Sequence, residues 1–247
     1  MRVLNKIIAC VLGLALVTAA QGAEDFQGCL QFFAQAQPPQ VALRPTSRAL
    51  CYDAFAILYS GESKTPVYVA ERLNRAAMAL APEKRRDGFF ADARLPAPER
   101  ATLEDYVASG YDRGHMAPAG DMRTAQAMAQ SFSLANMVPQ APEHNRGVWA
   151  KSVELPTRKF VARAEGDVYV ITGPVFLPDI ARSPSIGPGR VHVPAVLFKL
   201  VYDEASNRAW AYWQENADAT RGSKPISYAE LVLRTGVDFL PGVRPQD

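Results

Sequence analysis

The residue types that could do chemistry are concentrated in one stretch, Tyr111-Asp112-Arg113-Gly114-His115-Met116-Ala117-Pro118-Ala119-Gly120-Asp121. Asp112 to His115 supplies an acid, a guanidinium, a glycine and an imidazole in sequence. Imidazole titrates near about pH 6.5, so His115 can hold and release a proton at neutral pH, which is what a general base must do. Arg113 can grip a phosphate oxygen. A solvated charged turn accounts for the same four residues equally well. The balance is tipped by a second stretch. Asn136-Met137-Val138-Pro139-Gln140 is followed by Asn145-Arg146-Gly147-Val148-Trp149-Ala150, and then by Glu154 and Arg158.

Taken in order, the D-R-G-H, N-x-x-P-Q and N-R-G-x-W motifs resemble the DNA/RNA non-specific endonucleases of the ββα-metal class. That class includes mitochondrial endonuclease G and secreted bacterial sugar-nonspecific nucleases. Ile171 to Phe176, the strand carrying Lys199, Asn216 and the closing segment Thr235 to Pro241 look similar too, so the resemblance runs from about Cys51 to Pro241. It implies an α+β fold of the ββα-metal (His-Me finger) type, with a central antiparallel sheet flanked by helices. It implies that His115 is the general base and that Asn145 is the one protein ligand to a Mg²⁺ ion, for which Mn²⁺ is a substitute. Glu154 would hold the water shell of the metal, Arg158 would contact the phosphate, and Asn136 would support the site. Asp112 and Arg113 complete the expected catalytic set.

The chemistry agrees with those roles. Phosphodiester hydrolysis needs an attacking water, a base, and neutralisation of charge on the phosphoryl and leaving oxygens. A positioned base is worth about 10²–10⁴-fold. Mg²⁺ acts as a Lewis acid, prefers oxygen ligands and keeps several waters. The expected activity is cleavage of DNA and RNA with little sequence preference, leaving 5′-phosphate ends. Two other readings stay open on the residues alone: an inactive nucleic-acid-binding module, and a hydrolase of another phosphodiester.

One departure from the family pattern stands out. The family places its Glu four residues after the Trp, where this chain has Val153. Glu154 and Arg158 each come one position late, as a single inserted residue would produce. On an ideal α-helix one extra residue turns the next by about 100°, which would swing Glu154 away from Asn145. A π-bulge would restore the shared face. Pro156 would disturb the helix ladder close by.

The 247 residues carry 48% apolar and 21% charged side chains, ordinary globular usage that excludes a disordered chain or a polytopic membrane protein. Residues 1–23 read as a signal peptide: Arg2 and Lys6, an apolar run from Ile7 to Val17, then small residues to Ala23. The run is too short to span a membrane. Residues 24–247 are then one endonuclease domain, periplasmic or secreted, with no stable membrane anchor after cleavage.

Removing the leader takes Arg2 and Lys6 from totals of 27 basic and 25 acidic residues, so the mature chain is neutral. A polyanionic partner must therefore meet a local patch. From Arg146 to Arg163 there are five basic residues and one acid. Arg146 and Lys151, together with Arg86 from the Lys84-Arg85-Arg86 cluster, are the expected phosphate-tracking contacts. The expected partner is a nucleic-acid substrate, DNA and RNA; a homodimer is left open. Cys29 and Cys51 remain after cleavage, and export favours a disulfide between them.

The elements that must position these residues are strands at Leu50–Tyr59 and Thr65–Leu73, a loop-rich region over 74–110 and a His115 loop. Helices follow at Thr124–Leu134 and Glu143–Arg163. Strands at Asp167–Phe176, Val191–Tyr202 and Ala209–Gln214 come next, then a helix at Ser227–Arg234 stopped by Gly236. His144 and His192 have no sequence partners and read as surface or satisfied core residues. Trp210, Tyr212 and Trp213 read as core.

Overall fold

The computed structural model describes residues 26–246 apart from Pro82, Arg86 and Asp179. The expected signal segment over 1–23 and the expected phosphate contact Arg86 lie outside the described residues. No helix among the described residues is long and apolar enough to cross a membrane.

In chain order the first elements are β1 (Ser47–Cys51), β2 (Phe55–Ser60), β3 (Thr65–Leu73), α1 (Arg75–Ala79), β4 (Asp112–His115), α2 (Ala125–Ser131) and β5 (Met137–Gln140). A π-helix over His144–Glu154 runs directly into α3 (Leu155–Val161). Then come β6 (Val168–Val175), β7 (Ser185–Ile186), β8 (Val191–His192), β9 (Val196–Asp203), β10 (Arg208–Glu215), β11 (Ile226–Ser227) and α4 (Tyr228–Thr235). Seven strands form one antiparallel sheet in the order β1-β2-β3-β6-β9-β10-β11.

Both faces of this sheet are covered, so its middle strands are mostly apolar rather than alternating with polar residues, with Glu71, Thr172 and Lys199 as buried polar exceptions. On one face Val69, Leu73, Val170, Leu197 and Val201 pack with Trp149, Val153 and Val161 of the π-helix and α3. On the other face Tyr68, Ala70, Ile171, Phe198 and Leu200 pack with Phe26 and Phe33 of the N-terminal arm and with Leu231 and Phe239. Cys29 and Cys51 form the expected disulfide, which ties that arm to the end of β1. The three motifs all lie on the first face, where Met116, Val138 and Trp149 join its core.

Four element readings change. Leu50–Tyr59 is two strands, because the chain turns at Asp53: the Tyr52 N–H bonds to the Phe55 carbonyl, and the Asp53 N–H bonds to Gln130 Oε1. Val191–Tyr202 is also divided, since Pro194 lies between β8 and β9 and has no N–H for a ladder. His115 sits on a strand rather than in a loop; β4 pairs with β5, a partner distant in sequence. The helix from Glu143 is π-helical through Glu154 and α-helical only from Leu155 to Val161. Pro156 falls in the first turn of α3, where its missing N–H costs little.

Candidate active site

β4 and β5 lie antiparallel with Asp112 opposite Gln140 and His115 opposite Met137. Gly114 is required here, because a Cβ at that position would stand 2.1 Å from Gln140 Oε1. Asn136 clamps the chain just beyond His115. Its Oδ1 accepts from the Ala117 N–H, and its Nδ2 donates to the carbonyls of Ala117 and Ser131, each at 2.9 Å. Its own carbonyl accepts from Met116. Asn136 is fully buried and acts on the site by holding backbone, not by facing the cleft.

His115 packs edge-on against Phe132, with ring centroids 5.0 Å apart, and lies 5.8 Å from Phe89. It is 9% exposed, and its Nε2 has no hydrogen-bond partner among the described residues. Burial first, and then the nearby Arg85 guanidinium, push its pKa from 6.5 to about 3, against the opposing pull of Asp87. The imidazole is therefore neutral, the protonation state of a base waiting for a proton.

The π-helix answers the one-residue offset. Asn145 and Glu154 are nine positions apart. At about 100° per residue an α-helix would set them on opposite sides. With i→i+5 bonding, at about 4.4 residues per turn, nine residues make about two turns. The Leu155 N–H bonds back to the Ala150 carbonyl, five residues earlier. Asn145, Ala150, Glu154 and Arg158 accordingly line the same cleft. Asn216 fixes where the helix begins: its Oδ1 accepts from the Ala141 N–H, and its Nδ2 donates to the carbonyls of Pro139 and Pro194.

The cleft has a volume of about 550 Å³ and is lined by His115, Asp112, Arg113, Asn145, Arg146, Glu154 and Arg158, along with Glu83, Arg85, Asp87 and Phe89. Asp112 organises one wall. It accepts from Asn145 Nδ2 at 2.9 Å and from both forks of the Arg146 guanidinium, at 2.7 Å for Nε. Burial raises the Asp112 pKa, but the hydrogen bonds from Arg146 and Asn145 outweigh it and hold the carboxyl below its usual range. Because Asn145 spends its Nδ2 on Asp112, the other side of its amide presents Oδ1, a neutral oxygen donor.

Further along the helix Arg158 lies 3.1 Å from Asp121 and 3.7 Å from Glu154. Its guanidinium rests on Gly120, where a Cβ would come within 3.1 Å of it. Burial raises the Glu154 pKa, opposed by Lys199 and Arg158. Arg113 stacks over Phe89, with its guanidinium carbon 4.3 Å from the ring centroid.

Lys151 is exposed and lies away from the cleft lining. Of Lys84 and Arg85, the described members of that basic cluster, Arg85 reaches the lining. Arg163 lines a separate depression with Phe160 and Asp203. His144 is a satisfied core residue, accepting from Gln140 and donating to Gln214. His192 is buried as well, and Trp210 packs on Phe160. Sequence reasoning assigned no role to Asp121, Phe89 or Glu71. Asp121 closes the quoted motif stretch, but its role depends on Arg158 arriving from a helix far along the chain.

The donor set bears on the metal question. Among the described residues no group of three or more His, Cys, Asp or Glu is arranged to hold an ion. The cleft instead offers isolated oxygens: the Asn145 amide, with the Asp112 and Glu154 carboxylates around it. A cation that keeps most of its own water, as Mg²⁺ does, fits such a wall; one that needs a full protein cage does not.

The model of the DNA/RNA non-specific endonuclease family matches residues 37–246. The chain belongs to that family. It is 31% identical over 222 residues to a nuclease of Nostoc sp., covering 82% of this chain and 77% of that one. It is 32% identical over 212 residues to the mitochondrial nuclease EXOG of Xenopus laevis, covering 77% of this chain. The chain spans 59% of the length of that relative and 45% of the human one. Among solved structures, EndoG in its complex with EndoGI aligns with a TM-score of 0.69 at 26% identity, covering 79% of this chain and 86% of that one. The endonuclease fold is thus of the ββα-metal type, and its β4–β5 pair with the following helix carries the family motifs.

Proposed function

We propose that this member of the family is a Mg²⁺-dependent endonuclease that hydrolyses phosphodiester bonds of DNA and RNA with little sequence preference and leaves 5′-phosphate ends. The observation that carries the reading is His115: a neutral, buried imidazole whose Nε2 has no partner, in one cleft with Asn145, Glu154 and Arg158. An inactive binding module would have no use for that arrangement.

In this reading His115 takes the proton of the attacking water, and its neutral state keeps it ready to do so. Phe132 and Phe89 hold the ring, and Asn136 holds the backbone behind it. Arg158, steadied by Asp121, and Arg113, stacked on Phe89, meet the negative phosphoryl oxygens. Asp112 orients the Asn145 amide, so that Oδ1 would be the protein's ligand to a bound metal ion and Glu154 would accept from that ion's waters. Mg²⁺, when bound there, supplies charge neutralisation at the phosphate and the leaving oxygen. Contacts to base edges are not needed for any of these roles, in keeping with low sequence preference.

The Cys29–Cys51 bridge supports export, because such bonds persist in oxidising compartments. A periplasmic or secreted place would also keep a non-selective nuclease away from the chromosome. The test is digestion of circular plasmid DNA and of RNA by the mature protein, with and without chelator. Cleavage of both that stops on chelation and returns with Mg²⁺ is the expected result. Chelator-resistant cleavage, or binding without cleavage, would overturn the reading.

A further inference from the structure

Behind the two aromatic rings that hold His115 lies a polar network that the proposed reaction does not use. Its centre is Asp92, which is 4% exposed. The Tyr52 hydroxyl donates to Asp92 Oδ2 at 2.5 Å and stands 3.1 Å from Ser133 Oγ, which lies 3.3 Å from the same carboxylate oxygen. Arg94 grips the carboxylate from outside, with Nε 2.9 Å from Oδ1 and Nη2 2.6 Å from Oδ2. Its Nη1 donates to the Cys51 carbonyl at 2.9 Å, and its guanidinium carbon lies 4.3 Å from the Tyr52 ring centroid. Burial raises the Asp92 pKa, but the hydrogen bonds from Arg94 and Tyr52 outweigh it and bring the group to about 2. The carboxylate is thus ionised, and hydrogen bonds to an ionised group are about twice as strong as neutral ones.

The bonds to Tyr52 and Ser133 join segments that are distant in the chain. Asp92 belongs to the irregular stretch that carries Phe89, Ser133 directly follows Phe132, and Tyr52 stands at the turn between β1 and β2. Backbone bonds lace the first two stretches together: the Phe90 N–H donates to the Phe132 carbonyl at 3.3 Å, and the Leu134 N–H to the Phe90 carbonyl at 2.8 Å. Phe89 and Phe132 meet edge to face at 4.9 Å, and both rings pack against His115. A phenyl ring has no polar group to fix it, so the places of both rings follow from their backbone. The turn after β1 grips the end of α2 a second time, through Gln130: its Oε1 accepts from the Asp53 N–H, and its Nε2 donates to Asp53 Oδ1 at 3.0 Å.

We propose that Asp92, through Tyr52 and Ser133, is a positioning residue of the nuclease centre, which locks the 89–92 segment to the 132–134 segment and so holds Phe89 and Phe132 against His115. The inference rests on the nuclease reading above. The competing role is purely structural: the network would then secure the turn after β1 and have no effect on the imidazole.

The two roles separate when the His115 ring itself is followed in variants of the mature protein. The chain has three histidines, so the imidazole NMR signals of His115 are assigned by comparison with His115→Asn. Asp92→Asn keeps the volume and removes the charge. It should lower Tm and raise the His115 titration midpoint by about one pH unit or more toward 6.5, as water reaches the ring. The acid limb of kcat/KM should rise with it, and kcat should fall by up to about 100-fold. The control is Tyr228→Phe, which removes a bond to Asp238 at 2.6 Å on the far face of the sheet; it should lower Tm and leave the His115 titration unchanged. An unchanged His115 midpoint in Asp92→Asn, or an equal rise in Tyr228→Phe, would overturn the proposal. Should Asp92→Asn fail to fold, Tyr52→Phe removes the shortest bond and keeps the carboxylate. It should raise the midpoint in the same direction, and no rise would overturn the proposal. A parent inactive on both DNA and RNA overturns the nuclease reading, while the His115 titration, read without activity, still decides whether Asp92 holds the rings against the imidazole.

Discussion

The burial of His115 has a consequence that can be measured on both stability and rate. In the unfolded chain the imidazole takes up a proton as pH falls through about 6.5. In the folded protein, burial first and then Arg85 hold that step down to about 3. Between these values the unfolded state binds a proton that the native state refuses. The native state therefore loses stability as pH falls from 6.5 toward 3, and pays nothing above 6.5. At about 1.4 kcal/mol per pH unit, the loss reaches about 2 kcal/mol by pH 5.

Many carboxylates also contribute to acid unfolding, so the comparison must be with His115→Asn, which cannot titrate. Urea unfolding of both proteins from pH 7.5 to 5 should show the parent losing about 2 kcal/mol relative to the variant. The rate profile follows from the same cause. The acid limb of kcat/KM reports the free enzyme and should lie well below pH 6. A bound phosphate brings negative charge beside the ring and favours the protonated form, so the acid limb of kcat should lie at higher pH than that of kcat/KM. A stability difference that stays flat between pH 7 and 5, with both limbs together near 6.5, would falsify the assignment of His115 as a buried neutral base.

Further perturbations test other parts of the site. Asp112→Asn releases Arg146 and loosens the Asn145 amide, so half-saturation with Mg²⁺ should rise about 10–100-fold; an unchanged metal titration would remove Asp112 from that role. Asn136→Ala leaves the Ala117 and Ser131 backbone groups unpaired in a buried place, at about 1–3 kcal/mol for each unsatisfied group. The variant should melt markedly lower and lose activity at temperatures where the parent is stable. Opening the Cys29–Cys51 bridge, whose partners are 22 residues apart in sequence, should cost about 3 kcal/mol in the chain-entropy model. That is about 6–12 °C in Tm for a domain of this size, with activity per folded molecule retained because the bridge lies on the sheet face away from the cleft. Loss of activity without loss of Tm would contradict that placement.

Much of the site was legible before any coordinates. The three motifs name chemistry through residue types that have few substitutes: an imidazole for a base, an amide oxygen for a water-rich cation, guanidinium groups for phosphate. His115, Asn145, Glu154 and Arg158 do meet in one cleft, and the two cysteines are joined. The one-residue delay of Glu154 was also visible in the chain, but its resolution was not. Whether the helix accommodates an extra residue by turning Glu154 away or by widening to i→i+5 bonding depends on what packs beneath it. Trp149 and Val153 are fully buried against the sheet. An α-helical course would have to rotate one of the two sets, core or cleft, out of place, and the π-helix keeps both.

Other features depended on pairings between distant segments, which no local pattern encodes. Asp112 to His115 looks like a loop because four residues with three polar side chains show no strand alternation; they become a strand only when β5 arrives to pair with them. Asn136 reads as a site residue by its motif, yet its work is to fasten backbone behind His115. Phe89 and Arg85 come from a segment with no regular pattern. Lys199 and Glu71 each stand in an apolar strand where local logic expects an apolar side chain. Sequence by itself determined the nuclease family, and it singled out His115 and Asn145 as the candidate base and metal-facing amide, because those readings follow from functional groups and their spacing. Tertiary structure alone decided the neutral state of His115, the orientation of Asn145 by Asp112 and the pairing of Arg158 with Asp121, because burial and electrostatic neighbours exist only once distant segments are packed together.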